Sequence, residues 1–77
     1  MKETLASRIL PNNKEVRGHV DSEKFELCKN ALDFFCNKFK KESSEDAAWD
    51  TQEEFNIPIR VENFYEEPMH VYDVYIG

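Results

Sequence analysis

The sequence has little glycine. Gly18 and Gly77 are the only two in 77 residues, which leaves no glycine-rich loop of the kind that cradles phosphates. Cysteine is as sparse. Cys28 and Cys36 fall in one amphipathic segment, about 12 Å apart along a helix axis, and a disulfide needs Cα atoms within about 7 Å. They are expected as reduced thiols, in keeping with a reducing compartment. No apolar run approaches the roughly 20 residues of a membrane-spanning helix, and "MKETLASRIL" lacks the apolar core of a signal peptide. The expected location is the cytoplasm, or the host cytoplasm for a viral gene. No membrane association is expected.

Basic residues run out halfway along the chain. Residues 1–41 hold nine Lys and Arg against six acids, whereas residues 42–77 hold Arg60 alone against ten acids, within a net charge of −6. Affinity for nucleic acid comes from Lys and Arg neutralising phosphates, so direct nucleic-acid binding is not expected. An acidic half suits a basic protein surface better.

Motifs for chemistry are missing as well. His19 and His70 stand in no H-x-x-x-H spacing and the cysteines in no C-x-x-C, so no metal site is expected. Both cysteines sit on an apolar face, which disfavours a thiolate nucleophile. The carboxylate pairs Glu53-Glu54 and Glu66-Glu67 read as solvated surface. The expectation is no catalytic residue, no cofactor and no enzyme.

What is present is a dense set of apolar side chains for one small domain spanning residues 1–77. A chain of this size buries only about 60% of its unfolded surface, so its ten aromatics matter to a core, to a partner or to both. The segment "VDSEKFELCKNALDFFCNKFKK" gathers Phe25, Cys28, Leu32, Phe35, Cys36 and Phe39 into one sector at 100° per residue. Leu27, Ala31 and Phe34 widen it. Asp21 suits an N-cap, with Val20 and Phe25 as a hydrophobic staple, and Lys38, Lys40 and Lys41 suit the negative end of the helix dipole. The spacing predicts a helix from about 22 to 41. Its apolar surface is wider than one sheet needs, so Leu27 and Phe34 must meet another segment or a second protein.

Before this helix, Pro11-Asn12-Asn13 signals a turn, with Leu5, Ser7 and Ile9 alternating on one side and Val16, Gly18 and Val20 on the other. A hairpin is expected, and residues 1–10 also suit a short helix. After the helix, Ser43 or Ser44 can cap a short acidic helix or an ordered loop anchored by Trp49 and Phe55.

The chain ends in two alternating segments, Ile57–Val61 and Met69–Ile76, around a turn at Glu66-Glu67-Pro68. An even turn sets Val61 opposite Tyr72, Ile59 opposite Val74 and Ile57 opposite Ile76, and pairs Arg60 with Asp73 on the other face. Tyr72, Val74 and Ile76 are then core, whereas Phe64, Met69, Val71 and Tyr75 form a second patch that the 43–55 segment or a partner must cover.

The expected fold is α+β: a single domain with one long amphipathic helix on an antiparallel or mixed sheet in β-β-α-β-β order, with a short acidic helix or loop after the long helix. No residue motif ties the chain to a family. The candidate partner-binding residues are Glu45, Asp46, Trp49, Asp50, Glu53, Glu54, Tyr65, Met69 and Tyr75, because aromatics anchor interfaces and surrounding charges steer association. The functional expectation is a small acidic regulator or inhibitor that docks on a basic protein, one that handles nucleic acid, by analogy with small acidic proteins of phages and mobile elements. The alternative is an accessory subunit or a homodimeric module assembled through Leu27 and Phe34 or through the Tyr75 patch.

Overall fold

The computed structural model describes residues 3–11, 14–65 and 70–77, with side chains for all of these except 63–65 and 70. Two strands come first, β1 (Glu3–Leu10) and β2 (Lys14–Asp21). A 3₁₀ turn (Ser22–Lys24) leads into helix α1 (Phe25–Phe39), followed by helix α2 (Ser44–Phe55) and strands β3 (Ile59–Tyr65) and β4 (His70–Ile76). The class is α+β, and the order is β-β-α-α-β-β. The 43–55 segment, expected as a short acidic helix or an ordered loop, is a helix, which adds a second α to the expected β-β-α-β-β order.

The four strands form one mixed sheet in the order β1-β2-β4-β3. Two antiparallel hairpins, β1–β2 and β3–β4, are joined by a parallel seam between β2 and β4. Both helices pack on one side of this sheet. α1 lies over β1, β2 and β4, and α2 lies against α1 and β3.

The end of β2 sets where α1 begins. Asp21 Oδ1 accepts from the Glu23 amide at 2.9 Å, so it caps the 3₁₀ turn. Lys24 then leaves helical geometry, with φ −121° and ψ 39°. Phe25, the first residue of α1, is 36% exposed and so is not part of the buried face, whereas Ala31 is fully buried. The remaining members of the expected face, Cys28, Leu32, Phe35, Cys36 and Phe39, are buried.

α2 is capped by Ser43, whose hydroxyl accepts from the Asp46 amide at 3.2 Å. Glu45 and Asp46 stand in its first turn, where the helix dipole favours acids. Asn56 ends it in the left-handed region at φ 55°, a conformation Asn tolerates well. Ala47 and Thr51 are its buried face, and Thr51 Oγ1 satisfies itself by donating to the Ala47 carbonyl at 2.7 Å. Phe55 meets Phe34 of α1 edge-on, with ring centroids 5.5 Å apart. Phe34 thus finds its partner within the chain, whereas Leu27 stays 40% exposed. Trp49 does not anchor this segment, since it is 62% exposed.

The core lies between α1 and the sheet. Val16 and Val20 of β2 and Val74 of β4 are fully buried against Leu32 and Phe35. Tyr72 packs edge-on against Phe39 at 4.9 Å. Tyr72, Val74 and Ile76 face the helices as their alternation implies, but the β3–β4 register differs from the expected one by two residues. Ile59 pairs with Ile76, Val61 with Val74, and Arg60 with Tyr75 instead of Asp73. A two-residue slip keeps every side chain on its own face, so the apolar pattern cannot choose between the two registers. An irregularity between Asn63 and Tyr65 then brings Tyr65 opposite Val71. The expected turns at Asn12-Asn13 and at Glu66-Glu67-Pro68 lie outside the described residues.

Candidate functional site

The helices cover one face of the sheet, and α2 does not wrap round to the other. That second, open face is built by alternate residues of all four strands. β1 supplies Glu3, Leu5, Ser7 and Ile9, with Leu5 57% and Ile9 79% exposed. Ala6 and Leu10 take the inward positions. β2 adds Glu15, Arg17 and His19, β4 adds Val71, Asp73 and Tyr75, and β3 adds Arg60 and Glu62.

Charges on this face are paired side by side. His19 Nε2 donates to Asp73 Oδ1 at 2.8 Å, and His19 Nδ1 faces Glu3 Oε2 at 2.9 Å. A neutral imidazole carries one N–H, so two carboxylate partners call for the imidazolium. Burial opposes the charged ring. The hydrogen bonds and charges of Asp73 and Glu3 outweigh it, and the His19 pKa is pushed above the ordinary 6.5. The ring also stacks on Tyr75, centroids 4.3 Å apart, and Arg60 covers Tyr75 with its guanidinium carbon 4.5 Å from the ring centroid. Asp73 and Glu62 stand opposite one another as like charges. Each is neutralised by a neighbour, Asp73 by His19 and Glu62 by Arg60 at 2.8 Å.

This arrangement crosslinks three strands. Both His19 nitrogens are occupied, and the cleft beside it, lined by Glu3, His19, Asp21, Tyr75 and Gly77, measures about 110 Å³. Burial pushes the Cys36 thiol up to about 11, so it is not a thiolate at neutral pH. Among the described residues no His, Cys, Asp and Glu side chains are grouped to hold a metal ion, and no helix is long and apolar enough to cross a membrane.

The acidic residues expected at a partner site lie on α2. Glu45, Asp46, Glu53 and Glu54 are exposed, Asp50 is half-buried, and Trp49 stands among them. An open groove of about 450 Å³ runs between the helices, lined by Phe34, Lys38, Asp50, Glu53 and Glu54. Lys38 Nζ lies over the Phe34 ring in this groove, 5.5 Å from its centroid. At the head of α2, a hydrogen bond shared with Asp50, followed by burial and the charges of Asp50 and Asp46, pushes the Glu42 pKa up.

Tyr75 is not part of this surface. It lies on the open face, and the two regions approach around the β3 end, where Gln52, Pro58, Arg60 and Tyr75 line one cleft. The backbone of Tyr65 pairs with Val71, but its side chain, like all of Met69, lies outside the described residues. The His19 cluster was missed from sequence because bonded partners within it stand as many as 54 positions apart. The hint available was local: Ser7 between Leu5 and Ile9 marks a strand side that is only half apolar. Comparisons with protein-family models, curated proteins and solved structures find no match for this chain.

Proposed function

We propose that this chain is a small protein-binding regulator that docks through α2 on a basic surface of another protein. The observation that carries this reading is Trp49, a large aromatic left 62% exposed within the acidic face of a capped, well-packed helix. Burying such a side chain recovers hydrophobic free energy that folding leaves unused, and Trp is prominent among interface hot spots. Glu45, Asp46, Glu53 and Glu54 around it steer a cationic partner. The neighbouring groove has an apolar floor at Phe34 and acidic walls, which suits a Lys or Arg side chain taking the place of Lys38. A nucleic-acid-handling protein is the partner class with such a surface, and occupying it would block its natural ligand. No catalytic role is assigned, because the imidazole is committed to two carboxylates and the cleft beside it is small.

The test uses paired baits. The wild-type chain, Trp49→Ala and the triple variant Asp46→Lys, Asp50→Lys, Glu53→Lys are each immobilised and challenged with the same cell extract at graded salt. A basic protein retained by the wild type and lost from both variants supports the reading. Equal retention on all three overturns it.

A further inference from the structure

The exposed aliphatics of β1 have no role in the α2 surface. β1 is an edge strand, eight residues long, with no proline within it. Natural edges are usually blunted by charge, proline or a bulge, and a long unprotected edge is a template for another strand. This one carries only Glu3 and Arg8, and Arg8 is turned inward, held by Asp33 of α1 at 3.0 Å. Its Nη1 also donates to the Ser7 carbonyl at 3.0 Å, which puts that carbonyl on the open edge. In an antiparallel ladder the residues bonded to one neighbour alternate with those facing away from it. The backbone N–H and C=O groups of Leu5, Ser7 and Ile9 therefore point outward together.

We propose that β1 pairs antiparallel with β1 of a second copy about a two-fold axis at Ser7, joining two sheets into one of eight strands. The register is self-complementary. With Ser7 opposite Ser7 of the second copy, Leu5 of each copy meets Ile9 of the other, so the two most exposed aliphatics of the sheet are covered twice over. Ala6 then faces Arg8, and no like charges stand directly opposite. Shifting the register by two residues sets Glu3 against Ile9 and loses both apolar pairs. Charge allows the approach, because the acidic α2 packs over β3 at the far edge of the sheet. A closed two-fold pair also caps the edge, which an open-ended stack would not do. Strand pairing of this length buries less than the roughly 1,200 Å² of a standard interface, so the dimer is one that dissociates on dilution. Both α2 helices stay free in it, and each dimer presents two acidic surfaces.

The experiment is light scattering on the whole chain over a range of concentrations, with amide hydrogen exchange. The expected mass rises from that of the 9.1 kDa chain to twice that value, with the Leu5, Ser7 and Ile9 amides slowing in parallel. Replacing Leu5 and Ile9 by Lys should leave a folded monomer with those amides fast, as both side chains are exposed in the single chain. Ser7→Cys reads the axis directly. Paired Cα atoms at about 5.5 Å allow a disulfide, and Cys28 and Cys36 are buried, so mild oxidation should give a covalent dimer. A monomer at every concentration overturns the proposal. So does a dimer that survives the double Lys variant, or one crosslinked by Ile9→Cys alone and not by Ser7→Cys.

Discussion

Leu32 of α1 rests on the bare backbone of Gly18 in β2. A Cβ built on Gly18 would come within 2.5 Å of Leu32 Cδ2 and 2.9 Å of the Ala6 carbonyl oxygen. Glycine is thus needed here for closeness of helix to sheet. Gly18→Ala should destabilise the chain by about 1–3 kcal/mol, the usual cost of overpacking, although Ala is otherwise the better strand residue. Urea denaturation checks it, and an unchanged midpoint would mean that α1 does not sit this low on β2.

Two phenylalanines of the same helix should behave differently. Phe35 is fully buried and Phe25 is 36% exposed. Phe35→Ala should cost about 3–5 kcal/mol and Phe25→Ala about 1 kcal/mol. In so small a domain the first loss is a large part of the total stability. Equal midpoints for the two variants would mean that Phe25 is buried as deeply as Phe35.

His19 should make stability depend on pH. Its folded pKa is raised above 6.5, because two carboxylate contacts outweigh the cost of burial. A group whose pKa is higher in the folded state binds its proton more tightly there. Its contribution is therefore complete below the unfolded pKa of 6.5, and it is lost as pH rises through the folded value. His19→Gln should flatten the fall in urea midpoint over that alkaline window. A variant that keeps the full wild-type slope would show that another group titrates there.

Charge and aromatic surface on α2 should separate kinetically once a partner is in hand. Reversing Asp46, Asp50 and Glu53 to Lys should slow association and weaken its dependence on salt. Trp49→Ala should instead speed dissociation, with a loss of about 2 kcal/mol or more. Surface plasmon resonance at several salt concentrations measures both rates. Tyr75→Ala, on the other layer, should leave both unchanged.

Much of the fold is legible in local patterns. The apolar stripe of 25–39 marks α1, Ser43 and the acids after it mark the start of α2, and alternation in 57–76 identifies which residues face the helices. What local pattern does not contain is anything that repeats with a shift of two. The β3–β4 register differed for that reason, and the observed one places Arg60 over Tyr75. The exposure of Phe25 goes with its place as the first residue of α1, and periodicity does not signal where a helix begins. The candidate site was legible in part. The acidic helix and Trp49 could be picked out by composition, whereas the Glu3–His19–Asp73 cluster exists only once β2 and β4 are side by side.

That parallel seam governs how the chain folds. Each pair across it lies 56 positions apart, from Lys14 with His70 to Val20 with Ile76. The two hairpins and α1 form from neighbours in sequence, and each can appear early. Joining β2 to β4 closes a loop of that length, at an entropic cost of roughly 3–4 kcal/mol before any constant term. High contact order of this kind slows the rate-limiting step. Until it is taken, β2 and β4 are both unpaired edges, and the strands that become the centre of the sheet are the last to be protected.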